Sequence, residues 1–174
     1  MLSAPERIAF CPQCATPLVT QLVGDKPRRF CQACTYIYFP EPKVGVGVMV
    51  VTDGKILLVQ RAMPPEQGKW SIPAGFLDYG EDPRLVAAKE TWEETGLVVE
   101  VETLVDVYYN PESLTKGGAS IFILYRGRVT GGECRAGDDA AAAAFFALHE
   151  LPELAFASTR DAICRLIPMP VPEG

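Results

Sequence analysis

Two sets of residues in this 174-residue chain are spaced for metal chemistry. The first is Cys11-Pro-Gln-Cys14 and Cys31-Gln-Ala-Cys34, two C-x-x-C pairs separated by 16 residues. Four thiolates at this spacing can close a tetrahedral shell around Zn²⁺. A closed shell leaves no position for a substrate, so such a metal is structural. Two disulfides or redox-active C-x-x-C turns are the alternatives. The start of the chain, Met1 to Phe10, has no apolar export segment, which weighs against disulfides. The second set is Glu90, Glu93 and Glu94, at i, i+3 and i+4. On a helix they fall within an arc of about 100°, and like charges at this spacing repel. A divalent cation would relieve that repulsion and could bridge carboxylates to substrate phosphates. A solvated acidic face, with Lys89 alongside, is the other reading.

The elements around these residues follow from local signals. A helix is expected over 82–95, with Asp82 as N-cap, Pro83 at its first position and Gly96 ending it. Leu85, Ala88 and Trp92 recur at i, i+3 and i+7 and define its expected apolar face, away from the carboxylates. Val44–Thr52, rich in β-branched residues, reads as a strand. Asp53-Gly54 is a hairpin turn into a return strand at Lys55–Arg61. Further strands are expected at Leu97–Val101, Thr103–Tyr109 and Ser120–Thr130, with a short one at Ala144–Phe146. Loops are expected at Pro111–Gly118 and Thr130–Asp139, and a closing helix at Ser158–Ile167 capped by Ser158. The alanine run Ala140–Ala144 has helical propensity that conflicts with its neighbouring strand. Residues 1–40 are too few for a hydrophobic core and need a metal to hold them; residues 41–174 suffice for one α/β domain. Cys134 and Cys164 read as small buried hydrophobes.

Composition narrows the function. Asp plus Glu number 22 against 16 Lys plus Arg, a net charge of −6. That argues against general nucleic-acid binding and against docking on an anionic membrane. No run approaches 18 apolar residues, so no transmembrane helix is expected and the chain reads as cytoplasmic. A single histidine, His149, excludes mechanisms that need a His pair.

Read together, Gly75, Glu81 and the stretch Lys89-Glu-Thr-Trp-Glu-Glu-Thr-Gly-Leu97 resemble the Nudix box, G-x5-E-x7-R-E-U-x-E-E-x-G-U. Gly75, Glu81, Glu90, Glu93, Glu94, Gly96 and Leu97 match, seven of nine defined positions. Lys89 replaces the family's Arg, which keeps the charge but loses the bidentate fork. Thr91 replaces an aliphatic residue. A four-cysteine ribbon followed by Trp70-Ser-Ile-Pro-Ala-Gly-Phe76 is similar to a bacterial Nudix subgroup with an N-terminal zinc ribbon. The resemblance implies an α/β/α sandwich around a mixed sheet, preceded by a small zinc ribbon. It also implies hydrolysis of a nucleoside diphosphate linked to another moiety.

The resemblance implies roles as well. Glu90 and Glu94 become the principal Mg²⁺ or Mn²⁺ ligands with the Ala74 carbonyl, and Glu93 a further ligand or orienter. Glu81 fixes the loop or an outer metal, and Lys89 steadies the carboxylates. Asp138 and Asp139, in a glycine-bearing loop, stand near the family's late general base; turn formation is the other reading of them, and a box glutamate is then the base. Arg61 could bind a phosphate or be a solvated strand end. Phe76, Tyr79, Tyr108 and Tyr109 could stack on adenine or flavin, or pack at core and edges. Pro111, 14 residues beyond Leu97, resembles the downstream proline of ADP-ribose pyrophosphatases, with a small offset. The implied substrate is a small nucleotide: ADP-ribose, cleaved to AMP and ribose 5-phosphate, or FAD. NADH or another dinucleotide, and a sensing domain without catalysis, are the alternatives. Similar enzymes are often homodimers.

Overall fold

The computed structural model describes residues 8–110 and 119–166. The expected roles of Pro111 and of the 111–118 loop lie outside them, as does Ile167. The chain separates at Pro42 and Lys43 into two compact units.

The first unit is a three-stranded antiparallel sheet, β1 (Val19–Val23), β2 (Lys26–Phe30) and β3 (Ile37–Tyr38), in the order β1-β2-β3. Each C-x-x-C pair forms the same knuckle. Ala15 and Thr35 donate to the Cys11 and Cys31 carbonyls, both at 2.9 Å, while Cys11 and Cys31 donate to Thr16 and Tyr36, both at 2.8 Å. Ala15 and Thr35 both turn left-handed, at φ 57 and 61. The buried hydrophobic positions here are Cys11, Leu18 and Cys31. A core this small cannot stabilise 40 residues by burial alone.

The second unit is built on one mixed sheet. Its strands are β4 (Lys43–Thr52), β5 (Lys55–Arg61), β6 (Trp70–Ser71), β7 (Ala74–Phe76), β8 (Leu97–Asn110), β9 (Ser120–Gly132) and β10 (Ala140–Ala147). The order is β10-β5-β4-β9-β8, with β4 and β9 parallel. Helices α1 (Pro83–Thr95) and α2 (Ala157–Cys164) cover its two faces. Alternation along β4 and β5 makes this sandwich. Val46, Val48, Val50 and Leu57 face Val86 and Ala87 of α1, while Met49, Ile56 and Leu58 face Ala162 and Ile163 of α2. Strands buried on both sides read as continuous apolar runs rather than alternating ones.

β4 and β5 pair only next to their hairpin, at Val51–Ile56 and Thr52–Lys55. Beyond it they diverge. β6 takes the edge of β5, and β7 takes that of β4 through Gly45–Phe76, Val46–Gly75 and Gly47–Ala74. This split admits the Trp70–Phe76 segment into the sheet.

Several expectations are corrected. The 97–109 region is one strand, kinked by register shifts near Val99, Thr103 and Asp106, rather than two. The alanine run is strand throughout, because Ala142, Ala143 and Ala144 pair with Gln60, Val59 and Leu58; sheet pairing overrides intrinsic helix preference. β9 extends through Gly131 and Gly132, which were expected in a loop. Ser158 does not cap α2: it is buried inside the helix, whose N-cap is Phe156 with no side-chain bond. Cys134 and Cys164 are exposed. Among the described residues no helix is long and apolar enough to cross a membrane.

Candidate active site

α1 begins and ends where its local chemistry dictates. Oδ1 of Asp82 accepts from the amides of Arg84 at 2.8 Å and Leu85 at 3.3 Å. Such a cap contributes about 1 kcal/mol. Gly96 ends the helix at φ 70, its amide bonded to the Trp92 carbonyl at 2.8 Å. The buried face is Val86, Ala87, Thr91, Glu94 and Thr95. Leu85 and Trp92, expected inside, are 72% and 55% exposed. Thr91 fills the family's aliphatic position without an orphaned hydroxyl, because its Oγ1 donates to the Ala87 carbonyl at 2.8 Å. With the Leu85/Trp92 side outermost, the carboxylate side turns towards the sheet.

Glu90 and Glu94, one turn apart, meet the strand that enters through the split sheet. Oε2 of Glu94 accepts a 2.9 Å bond from the Ala74 amide. The Glu90 carboxyl lies over Gly75, in space that a Cβ at that position would occupy. Burial is the main cause that raises both groups above ordinary carboxylates, with acidic neighbours adding to it. Glu94, only 7% exposed, is pushed up to about 8, with Asp139 and Glu90 contributing. Glu90 is raised also by Glu93, Asp138 and Asp139. A buried and a half-buried acid on one turn, facing further acids, gain from added positive charge. Oxygen donors in that state suit a hard divalent cation.

The other expected residues surround this pair. Glu93 pairs with Lys89, Nζ to Oε2 3.4 Å. Glu81 bonds within its own loop, where Oε2 accepts from the Asp78 amide at 2.8 Å. Arg61, Ala74, Glu94 and Asp139 line one cleft. Arg61 Nε donates to the Pro65 carbonyl at 2.7 Å, and its guanidinium lies 5.0 Å from the Phe156 ring centroid. Phe76 is exposed, with Lys43 Nζ 4.8 Å from its ring centroid. Tyr79 and Tyr109 are exposed too, whereas Tyr108 packs beside Phe122. Sequence reasoning missed that Ala74 meets the site through its amide. It also missed the docking of Gly137 on α1, where its amide donates to the Glu94 carbonyl at 3.1 Å.

In the first unit, one ligand atom from each of Cys11, Cys14, Cys31 and Cys34 lies within 4.8 Å of the others. Three Sγ–Sγ separations are 3.5 Å. Tetrahedral bonds of about 2.3 Å would set sulfurs about 3.8 Å apart. None of the four is in a disulfide, and the cluster can hold a metal ion.

A two-sided mixed sheet with a carboxylate-bearing helix laid against an inserted glycine strand is a Nudix architecture. The NUDIX domain model matches residues 41–166, and the chain belongs to that family. It is a Nudix hydrolase whose relatives include an ADP-ribose pyrophosphatase of Methanocaldococcus jannaschii, 40% identical over 121 residues, 70% of this chain and 71% of that protein. An NAD-capped RNA hydrolase NudC of Chromobacterium violaceum is 37% identical over 91 residues, 52% of this chain but 33% of that protein. Among solved structures, a NUDIX hydrolase from Nitrosomonas europaea superposes with TM-score 0.80 at 31% identity, covering 91% of this chain and 89% of that one.

Proposed function

We propose that this chain hydrolyses the pyrophosphate bond of a nucleoside diphosphate linked to a second moiety, with ADP-ribose as the leading substrate and AMP and ribose 5-phosphate as products. The observation that carries this reading is the Glu90/Glu94 pair, with Glu94 buried and bonded to the Ala74 amide, half-buried Glu90 packed on Gly75, and burial disfavouring the charged form of both. Glu90 and Glu94 would hold Mg²⁺ or Mn²⁺, with Ala74 beside them. When bound, the cation supplies charge that offsets the phosphate oxygens and lowers the pKa of water.

The chain's own residues do the rest. Lys89 holds Glu93 in line with the cluster, and Glu81 fixes the loop ahead of the helix. Asp139, in the Glu94 cleft, takes the proton of the attacking water as its oxygen joins phosphorus and the bridging P–O bond breaks. Arg61, in the same cleft, pairs with a phosphate, and exposed Phe76 offers a face to the base. The four cysteines hold a structural Zn²⁺ in a ribbon module of residues 1–40, ahead of a hydrolase domain of residues 41–174. Unpaired thiols agree with a cytoplasmic setting.

A dinucleotide such as NADH is the second reading. It is favoured by the likeness to the NudC hydrolase over about half of this chain. The test is product analysis by mass spectrometry with ADP-ribose, FAD, NADH, diadenosine polyphosphates and nucleoside triphosphates, each with Mg²⁺ and with chelator. Metal-dependent AMP release from ADP-ribose is expected. Glu90→Gln and Glu94→Gln should each lower kcat by about 10²-fold or more with the fold intact. Full activity in either variant would sink the mechanism. Silence on every compound would move the chain to a sensing role.

A further inference from the structure

The segment between β9 and β10 runs Glu133-Cys-Arg-Ala-Gly-Asp-Asp139. Two of its amides reach back to the last turn of α1. Arg135 donates to the Thr95 carbonyl at 2.9 Å, and Gly137 to the Glu94 carbonyl at 3.1 Å. Carbonyls in the final turn of a helix have no partner inside it, so the segment completes them. Its far end is tied as well. Ala140 donates to the Gly137 carbonyl at 3.0 Å, and Ala62, next to Arg61, donates to that of Asp139 at 3.0 Å.

The approach at Gly137 is too close for any side chain. A Cβ there would stand 2.5 Å from the Glu93 carbonyl oxygen, against a backbone atom that cannot swing aside. Immediately afterwards Asp138 turns left-handed, at φ 48, a conformation that Asp accepts more readily than most residues. The turn sends Asp139 into the cleft that it shares with Glu94, Ala74 and Arg61.

We propose that Gly137 is a positioning residue, whose bare Cα lets the 133–139 segment dock on the main chain of the Glu93–Glu94 turn and so holds the Asp139 carboxylate at the Glu90/Glu94 pair. This rests on the reading of Asp139 as the group that receives water's proton. One helical turn then does two jobs: its side chains would hold the cation, and its carbonyls carry the mount for the base. The spacing between base and ligands is set by two peptide hydrogen bonds rather than by flexible side chains.

The test is a double-mutant cycle on the full chain with Gly137→Ala, Asp139→Asn and the pair. It is read by calorimetric Mn²⁺ binding and by ADP-ribose hydrolysis in Mg²⁺. Gly137→Ala should lower kcat by about 10- to 100-fold, with KM within about 3-fold, because a misplacement of about 1 Å costs on that order. It should weaken Mn²⁺ binding several-fold. In the Asp139→Asn background the same change should cost less than about 2-fold in either measurement, since residues acting through one group are not additive. If Gly137→Ala does not fold, one glycine inserted after Ala136 shifts Asp139 within an exposed segment and is read in the same way. Additive losses beside an impaired Asp139→Asn would overturn the positioning role alone. Asp139→Asn with wild-type turnover and Mn²⁺ affinity would overturn the base assignment and the positioning with it. Should ADP-ribose not be a substrate, the Mn²⁺ cycle decides.

Discussion

The Ala74 amide donates a 2.9 Å hydrogen bond to Oε2 of Glu94, a side chain twenty residues further along. The bond joins the residue just ahead of the box glycine to the box helix. It ties β7, itself paired to β4, to the last turn of α1 on its buried face. It also gives a desolvated carboxylate a single directed partner, which offsets only part of its burial.

That balance sets how metal-free protein responds to pH. Burial, with Asp139 and Glu90 nearby, lifts Glu94 from 4.5 to about 8 in the folded state. The folded protein therefore binds more protons than the unfolded chain between those values. Its contribution to stability is complete below about 4.5 and is lost as pH rises through about 8, amounting to a few kcal/mol at most. Thermal unfolding in chelator should show Tm falling across this window, with saturating Mg²⁺ flattening the fall. Glu94→Gln should flatten it without metal. A slope unchanged in that variant would assign the effect elsewhere.

Gly75 makes a sharper prediction. The Glu90 carboxyl occupies the volume where a Cβ would go. Gly75→Ala should displace that carboxyl, lower kcat by about 10²-fold and weaken Mn²⁺ binding, yet shift Tm by only a few degrees. Circular dichroism and calorimetry read the two effects apart. Unaltered Mn²⁺ affinity would show that Glu90 is not a ligand.

The cysteines divide by reactivity. Cys134 and Cys164 are exposed singletons, while the other four face one another. In native protein a thiol reagent should react rapidly with two groups. Denaturation with chelator should release four more, together with one zinc per chain by elemental analysis. Six fast thiols with no metal would remove the ribbon assignment.

Much of this was legible in the sequence because it is local. Asp82, Pro83 and Gly96 bound α1 by chemistry that needs no tertiary partner, and the box carboxylates lie at fixed helical offsets. What was illegible depended on neighbours. Leu85 and Trp92 have inward-facing periodicity, yet the sheet received Thr91 and Glu94, because Thr91 bonds its own helix and Glu94 bonds Ala74. The alanine run became strand only because β5 offers it a free edge. β6 and β7, with two and three residues, are too short for any periodic signal. Gly137 carries no mark of its own: its meaning is the Glu93 carbonyl beside it.

The divergence of β4 from β5 has a consequence for how the protein fails. Because β6 and β7 fill that gap, the floor of the cleft is part of the hydrogen-bonded sheet and not a loop laid across it. Moving the Ala74 main chain away from Glu94 means parting β7 from β4, a strand buried along most of its length. Heat should therefore find no intermediate range in which the molecule is folded but its ligand pair has come apart. Turnover and cooperative structure should vanish over the same few degrees, and return together on cooling.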